Sequence, residues 1–299
     1  MTAVTDRERE ADTVGAADEA TWRLIIEDAR GGAWNMAVDE ALIEAVDAGT
    51  SPGVVRFYRW RPACLSLGFS QPFAVADAAF CAANGVSLVR RPTGGRAVLH
   101  QHELTYSVAA PLGRGRFGTD LQAVYRDICR ALVAGLRQAG VPAGLAGAPA
   151  GGMTNPTAAV PCFIGPAAGE VVANGRKLVG SAMRKIGNSI LQHGSILEGW
   201  DGRLQAGCLG LADDRALRAA VVTLAELLGA VPEPATLIAA LKAGFSATLG
   251  VVFEGSTLTD AERARAALLA RERYGHRRFL VERSRDVPDR ALDMAAPDR

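Results

Sequence analysis

The 299-residue chain carries 33 Lys and Arg against 32 Asp and Glu, and its formal net charge of +1 gives no electrostatic case for a nucleic-acid or membrane partner. A hydrophobic fraction of 49% and a charged fraction of 22% are ordinary for a globular protein, and the length allows one large domain or two. No apolar run is long enough to span a bilayer, and the opening MTAVTDREREADT lacks the basic-then-apolar order of a signal peptide, so a cytoplasmic location is expected. The five cysteines, Cys64, Cys81, Cys129, Cys162 and Cys208, are odd in number and show no CxxC spacing. They indicate neither a disulfide framework nor a zinc site, but leave room for a nucleophile.

Residues 1–20 are polar, acidic and weakly patterned, the composition of a disordered leader. Trp22 to Glu27 reads as a first strand. Ala33 to Ala48 has helical spacing through Met36, Val38, Leu42 and Val46, with Gly49 placed to end it. Val54 to Arg59 and Cys64 to Phe69 alternate as strands around a Pro62 turn. A helix over Phe73 to Ala83 ends at Asn84-Gly85, and Val86 to Arg91 is the next strand. After Thr93-Gly94-Gly95-Arg96, strand patterns resume at Ala97 to Leu99 and Leu104 to Ala109. Leu121 to Ala139 is an amphipathic helix with Val124, Ile128, Leu132 and Leu136 on one face. Leu145 to Val160, rich in Gly, Ala and Pro, reads as a mobile loop.

From Asn174 to Leu197 the chain alternates again, NGRKLVGSAMRKIGNSILQHGSIL, with turn signals at Asn174-Gly175 and Gly187-Asn188. Three helical patterns follow, Arg215 to Leu228, Ala235 to Leu249 and Asp260 to Tyr274. These elements predict an α+β or mixed α/β fold: a curved mixed sheet, largely antiparallel, flanked by helices. The expected division is a leader over 1–20, a catalytic domain over 21–211, a helical C-terminal subdomain over 212–280 and a flexible tail over 281–299.

Two stretches concentrate the chemistry. In Asn174 to Leu197, Lys177 stands just ahead of the small residues Gly180-Ser181-Ala182. Small residues weaken a strand unless something must approach its backbone closely, so Lys177 is a candidate ligand-facing charge. The plainer alternative is a surface hairpin whose Lys, Arg and Ser face water. In Val89 to His100, VRRPTGGRAVLH, Gly94 and Gly95 free the backbone to pass close to a ligand, with Arg90 and Arg91 as donors at the same mouth and His100 downstream. The plainer alternative here is a glycine turn with solvated arginines.

VRRPTGGRAVLH followed by ELTYS, and GRKLVGSA followed by LQHGSIL, resemble the lipoate-protein ligase and octanoyltransferase superfamily. The resemblance runs from about Trp22 to Gly250 and takes in the NMAVDEAL helix and the VVRFYRW strand. It implies a fold related to biotin protein ligases, an acyl chain held in a tunnel, Lys177 reaching the acyl carbonyl, and the Gly94-Gly95 loop closing over the bound group. Within the superfamily, ligases activate free lipoate as an adenylate, whereas transferases pass octanoyl from a carrier-protein thioester through an enzyme cysteine. Cys162, in PCFIGPAAGEVVANGRK, resembles the nucleophile of the cysteine-dependent octanoyltransferases that acylate the glycine-cleavage H protein. RRPTGGR in place of the ligases' triple glycine points the same way.

The implied reaction is octanoyl transfer in lipoate biosynthesis. Octanoyl-acyl carrier protein is the donor, a lipoyl domain or the H protein is the acceptor, and no cofactor is involved. A nearby ammonium favours a thiolate, so Cys162 and Lys177 form the expected catalytic pair. The resemblance places Arg91, Gly94, Gly95, His100, Gly180, Ser181, Arg184 and His193 at substrate-binding positions. His100 and His193 are equally readable as hydrogen-bonded structural residues. Gln101 and Met183 depart from the family pattern, and His102 and His276 match nothing in it. Cys162 has its own alternative, the small buried hydrophobe that fits Cys64, Cys81 and Cys129. Other readings are an ATP- and magnesium-dependent lipoate-protein ligase, an amidotransferase moving octanoyl or lipoyl groups between proteins, and a non-catalytic acyl or carrier-protein binder. Biotin ligation is disfavoured, because Gly113-Arg114-Gly115-Arg116 only superficially resembles an adenylate loop.

Overall fold

In chain order come strand β1 (Ala20–Ile26), helix α1 (Gly32–Asp47), strands β2 (Val54–Tyr58) and β3 (Cys64–Leu67), helix α2 (Ala78–Ala83), and strands β4 (Ser87–Arg90), β5 (Val98–His100) and β6 (Glu103–Pro111). Helix α3 (Leu121–Gln138) leads to β7 (Ala143–Leu145), β8 (Val171–Ala173), β9 (Arg176–Lys177), β10 (Val179–Ile186) and β11 (Ser189–Leu197). Then follow α4 (Gly202–Cys208), α5 (Arg215–Ala220), α6 (Leu224–Leu228), α7 (Pro234–Leu249), β12 (Val251–Ser256), α8 (Asp260–Leu269) and α9 (Arg277–Glu282). The computed structural model describes residues 20–147 and 168–283. The expected leader up to residue 19, most of the Leu145 to Val160 loop, Cys162 and the tail from 284 lie outside the described residues.

The main sheet has six strands in the order β10-β11-β6-β2-β1-β12. Pairing is antiparallel from β10 to β2 and parallel from β2 through β1 to β12, so the expected mixed, largely antiparallel sheet is present. Smaller three-stranded sheets, β4-β3-β5 and β7-β8-β9, flank it. Both faces of β2 are buried, and its period-two alternation divides them cleanly. Val55 and Phe57 join the core under α3 and α7, while Val54 and Tyr58 join the core under α1 and α8.

The turns obey their residues. Asn174 and Gly175 both take positive φ, 50° and 73°, which is what a two-residue hairpin between β8 and β9 requires. Gly187 also turns with positive φ, and β10 folds back on β11 through Gly187-Asn188. The amphipathic helix is α3, capped by the Asp120 side chain on the backbone N–H groups of Gln122 and Ala123.

The C-terminal part adds a strand to its helices. It contributes β12, which pairs in parallel with β1 at the edge of the main sheet. Leu237, Leu241 and Phe245 of α7 belong to the same buried cluster as Phe57 and Tyr106 of the sheet. The short VVFEG pattern of β12 had been submerged between two longer helical runs. The helix expected over Arg215 to Leu228 is broken, because Val221 is extended and bridges Lys177, and Thr223 caps a new helix on the Glu226 N–H. The helix expected over Phe73 to Ala83 starts later, where Asp77 caps α2 on the Phe80 N–H after a single 3₁₀ turn. The pattern over Asp260 to Tyr274 divides into α8 and a π turn. Among the described residues no helix is long and apolar enough to cross a membrane.

Helices α3 and α7 meet at Gly135 and Gly244. A Cβ on Gly244 would fall 2.2 Å from the Gly135 nitrogen, and one on Gly135 would fall 2.6 Å from the Leu241 Cα. Backbone cannot yield as a flexible side chain does, so Gly244→Ala is expected to destabilise the protein by about 1–3 kcal/mol. Urea unfolding monitored by far-UV circular dichroism would show it as a lower midpoint at unchanged slope.

Candidate active site

Strand parity dictates what lies beneath α1. Arg56 shares its face of β2 with Val54 and Tyr58, and His193 shares its face of β11 with Leu191, all on the α1 side. Asp39 points down from α1 onto that face. It is fully buried and accepts from Arg56 at 2.8 Å, from the Tyr58 hydroxyl at 2.9 Å and from His193 Nδ1 at 2.9 Å. Burial alone would raise the Asp39 carboxyl. The hydrogen bond from His193 and the charge of Arg56 outweigh it and hold the group below its ordinary value. Burial lowers His193 despite its carboxylate partner. A neutral His193 donating through Nδ1 leaves Nε2 to accept from the Thr93 hydroxyl, 2.6 Å away.

Thr93 belongs to the RRPTGGR loop, so this buried chain of groups ends on the glycine loop. A second chain reaches the same loop from another side. Glu103 meets His100 Nδ1 at 2.7 Å, His100 Nε2 meets the Ser66 hydroxyl at 2.8 Å, and Arg91 donates to that hydroxyl at 3.2 Å. Arg91 also donates to the carbonyls of Gly94 and Arg96, each at 2.7 Å. Arg90 is wholly buried and donates to the carbonyls of Gly68, Phe69, Gln71 and Leu280. Arg91 thus braces the glycine loop from within, while Arg90 ties the neighbouring segment 68–71 to α9.

Gly95 has φ +88°, a left-handed conformation that favours glycine. Its carbonyl lies 1.9 Å from where a Cβ of Gly68 would be, so Gly68 must also be glycine. A Cβ on Gly94 would meet nothing within 4 Å. Gly94 and Gly95 line one wall of a cleft of about 680 Å³. Its other walls include Tyr125 from α3, Ala146, Gly169, and Ser181 and Met183 from edge strand β10. Beneath them, Ser181 Oγ lies 2.8 Å from the Tyr106 hydroxyl, which accepts from Gln192 at 3.0 Å. Gly194 permits this, since a Cβ there would come within 2.9 Å of Ser181 Oγ and 2.7 Å of the Tyr106 ring. Burial pushes the nearby Cys129 thiol up to about 12, which keeps it an inert hydrophobe.

Lys177 lies on β9, beside the cleft wall. Its Nζ stands 2.7 Å from Glu170 Oε1, and only 4% of the residue is exposed. Lys177 is therefore a buried, ion-paired cation and not a solvated surface charge. Glu170 directly follows Ala168 and Gly169, both of which line the cleft.

The sequence candidates separate in space. Gly94, Gly95 and Ser181 come together in the cleft, with Lys177 alongside through Glu170. Gly180 pairs with Ser195 on the adjoining stretch of β10. Arg91, His100 and His193 stand behind the loop, and His100 is stacked on Trp60 at 3.9 Å between ring centroids. Arg184 pairs with Leu191 and faces the α1 side, where it donates to the Pro92 carbonyl at 2.9 Å and lies over Phe69. It borders a different cavity, of about 250 Å³, with Glu40 and Tyr274. Sequence reasoning missed Asp39, Thr93 and Glu170. Asp39 was visible as the lone acid facing inward among Met36, Leu42 and Val46, and Thr93 as the hydroxyl just before the glycines.

The electrostatics fix a pH dependence. Asp39 has a folded pKa below its unfolded one, so its contribution is present above the carboxylate range and lost as pH falls through the folded value. His193 is also lowered, so the unfolded chain binds its proton first below the ordinary value of 6.5, and stability declines there too. Chemical denaturation at successive pH values should show stability falling from neutrality toward pH about 5. His193→Gln should flatten that slope. Asp39→Ala, which leaves Glu27 as the remaining carboxylate on buried Arg56 and removes the acceptor of Tyr58 and His193, should cost about 3–5 kcal/mol.

Comparison with known proteins agrees with this architecture. Residues 32–246 match the lipoyl protein ligase A/B catalytic domain. Octanoyltransferase LipM of Symbiobacterium thermophilum is 38% identical over 271 residues, covering 86% of this chain and 97% of that protein. Octanoyltransferase LipM of Kyrpidia tusciae is 39% identical over 260 residues, covering 83% and 94%. Among solved structures, a bipartite lipoate protein ligase from Thermoplasma acidophilum, studied with its E2 lipoyl domain, superposes with a TM-score of 0.73 at 24% identity, covering 89% of this chain and 98% of that one. Lipoate-protein ligase A bound with ATP gives 0.72 at 24% identity, covering 87% and 98%. These two likenesses establish the fold. The matched span and the near-full-length relatives establish the family: the chain belongs to the lipoyl protein ligase A/B catalytic domain family.

Proposed function

We propose that this protein is an octanoyltransferase of lipoate biosynthesis, moving octanoyl from octanoyl-acyl carrier protein to the lysine of a lipoyl domain or of the glycine-cleavage H protein through a thioester on Cys162. The observation that carries this reading is the near-full-length similarity to octanoyltransferases. The cleft between the glycine loop, α3 and β10 supports it, with its apolar Met183 and Ala146 walls beside a buried cation.

In the proposed first step the Cys162 thiolate attacks the thioester carbonyl of the donor, the carbon–sulfur bond to the carrier breaks, and the carrier leaves as a thiolate that takes a proton from solvent. One thioester replaces another, so little free energy separates the two sides. In the second step the neutral amine of the acceptor lysine attacks the acyl-enzyme, forms the amide and expels the Cys162 thiolate. The amine's proton passes to the expelled Cys162 sulfur or to a neighbouring base. The Lys177 ammonium and the backbone N–H groups of the glycine loop are suited to the oxyanion of each tetrahedral intermediate. On this reading no cofactor takes part, because the donor arrives already activated.

Intact mass spectrometry after mixing with octanoyl-acyl carrier protein, with and without ATP, tests the reading. Wild type should gain one octanoyl group without ATP, and Cys162→Ala should gain none. Lys177→Met should slow acyl-enzyme formation by about 10²–10³-fold. Full transfer by Cys162→Ala, or modification of an apo lipoyl domain only with lipoate and ATP, would overturn it.

A further inference from the structure

The ion pair between Lys177 and Glu170 bridges a tight hairpin. The Asn174-Gly175 turn sets the register of β8 on β9, with Ala173 opposite Arg176 and Val172 opposite Lys177. Residue 170 lies two positions before Val172, so Glu170 is the diagonal neighbour of Lys177 on the same face. The contact is short at 2.7 Å, and the two side chains are only 5% and 12% exposed. The backbone around Lys177 is held as well: its carbonyl accepts from Val222 at 3.0 Å, and the Leu178 N–H donates to the Val171 carbonyl at 3.0 Å. The hairpin thus fixes the root of the lysine, and Glu170 fixes its tip. The Glu170 charge also acts on Tyr125, a cleft wall whose hydroxyl is raised first by burial.

A lysine has a flexible four-carbon stem and a compact charge, so its ammonium wanders unless something anchors it. In a site with little water, an anchored charge stabilises a developing oxyanion without reorganising as the reaction proceeds. We infer that Glu170 is a positioning residue for the acyl-transfer step, holding the Lys177 ammonium beside the cleft where the acyl carbonyl is bound. This role rests on the octanoyl-transfer reading above. On this reading Glu170 acts through Lys177.

A double-mutant cycle tests it. Glu170→Gln keeps the side-chain shape and removes the charge. It is expected to lower kcat for octanoyl transfer by about 10–10²-fold while KM for octanoyl-acyl carrier protein stays within about threefold. In a Lys177→Met background the same change should cost nothing further, because the residue it serves is gone. Additive losses would overturn the proposal, as would a wild-type kcat in Glu170→Gln. Should Glu170→Gln fail to fold, Glu170→Asp carries the same comparison, with partial activity expected.

A second measurement is independent of activity. Brief acetic anhydride treatment followed by peptide mass mapping should label Lys177 several-fold faster in Glu170→Ala than in wild type, with the other lysines unchanged. Equal labelling would overturn the anchoring. If wild type moves no octanoyl group, the functional reading fails, and the labelling comparison still decides whether Glu170 holds Lys177.

Discussion

A single carboxylate organises the centre of this protein. Asp39 is fully buried, and its two oxygens are taken up by Arg56, Tyr58 and His193, contributed by two strands of the sheet. An anion so placed is tolerable only because its partners replace the water it lost. The arrangement fixes how α1 sits across the sheet, since any sliding of the helix would strip Asp39 of its three partners and leave Arg56 with Glu27 alone. It also carries order outward, for His193 passes the constraint to Thr93 and so to the glycine loop. Glu103, His100, Ser66 and Arg91 reach the same loop by a separate route. The glycines keep a backbone open to a ligand, and the groups behind them hold that backbone still.

Edge strand β10 divides the surroundings in two. Ser181 and Met183 face the α3 side and the larger cleft, while Arg184 faces the α1 side with Phe69 and Glu40. A strand that is buried on both faces can serve only the core. At an edge, successive residues can serve different cavities, with the glycine loop and Pro92 between them. Arg184 therefore belongs with the outer face of the loop, against the Pro92 carbonyl, although only three positions separate it from Ser181.

Much of this was legible from local pattern. The turn residues Asn174-Gly175 and Gly187-Asn188, the stripe of α3 and the alternation of β6 and β11 are short-range signals, and each formed the element it predicted. The resemblance to the family, read from RRPTGGR and GRKLVGSA, also held. Other features depend on meetings at long range. Nothing local says that Asp39 will meet a histidine 154 residues away, although parity already placed His193 and Leu191 on one face. The strand β12 was hidden because its partner is the start of the chain. Glu170 was different: the register set by Asn174-Gly175 places it next to Lys177, and the pairing could have been counted from sequence alone. Arg90 and Arg91 looked like ligand donors because sequence shows charge without showing which carbonyls lie nearby.

The pairing of β1 with β12 has a bearing on how the protein is made. Strand β1 is hydrogen-bonded to β2 on one side, but its other edge waits for residues 251–256. Arg23 on β1 is likewise tied to Glu262 at 2.5 Å, across 239 positions of sequence. During synthesis the first strand leaves the ribosome long before its outer neighbour exists. For most of that interval it presents an open edge, with Ile26 at its end 56% exposed even in the finished fold. Closure of so distant a contact is slow, and it comes only after residues 251–256 have emerged. Among the described residues, the sheet that carries the site therefore gains its last strand from a segment more than two hundred positions beyond the strand it covers.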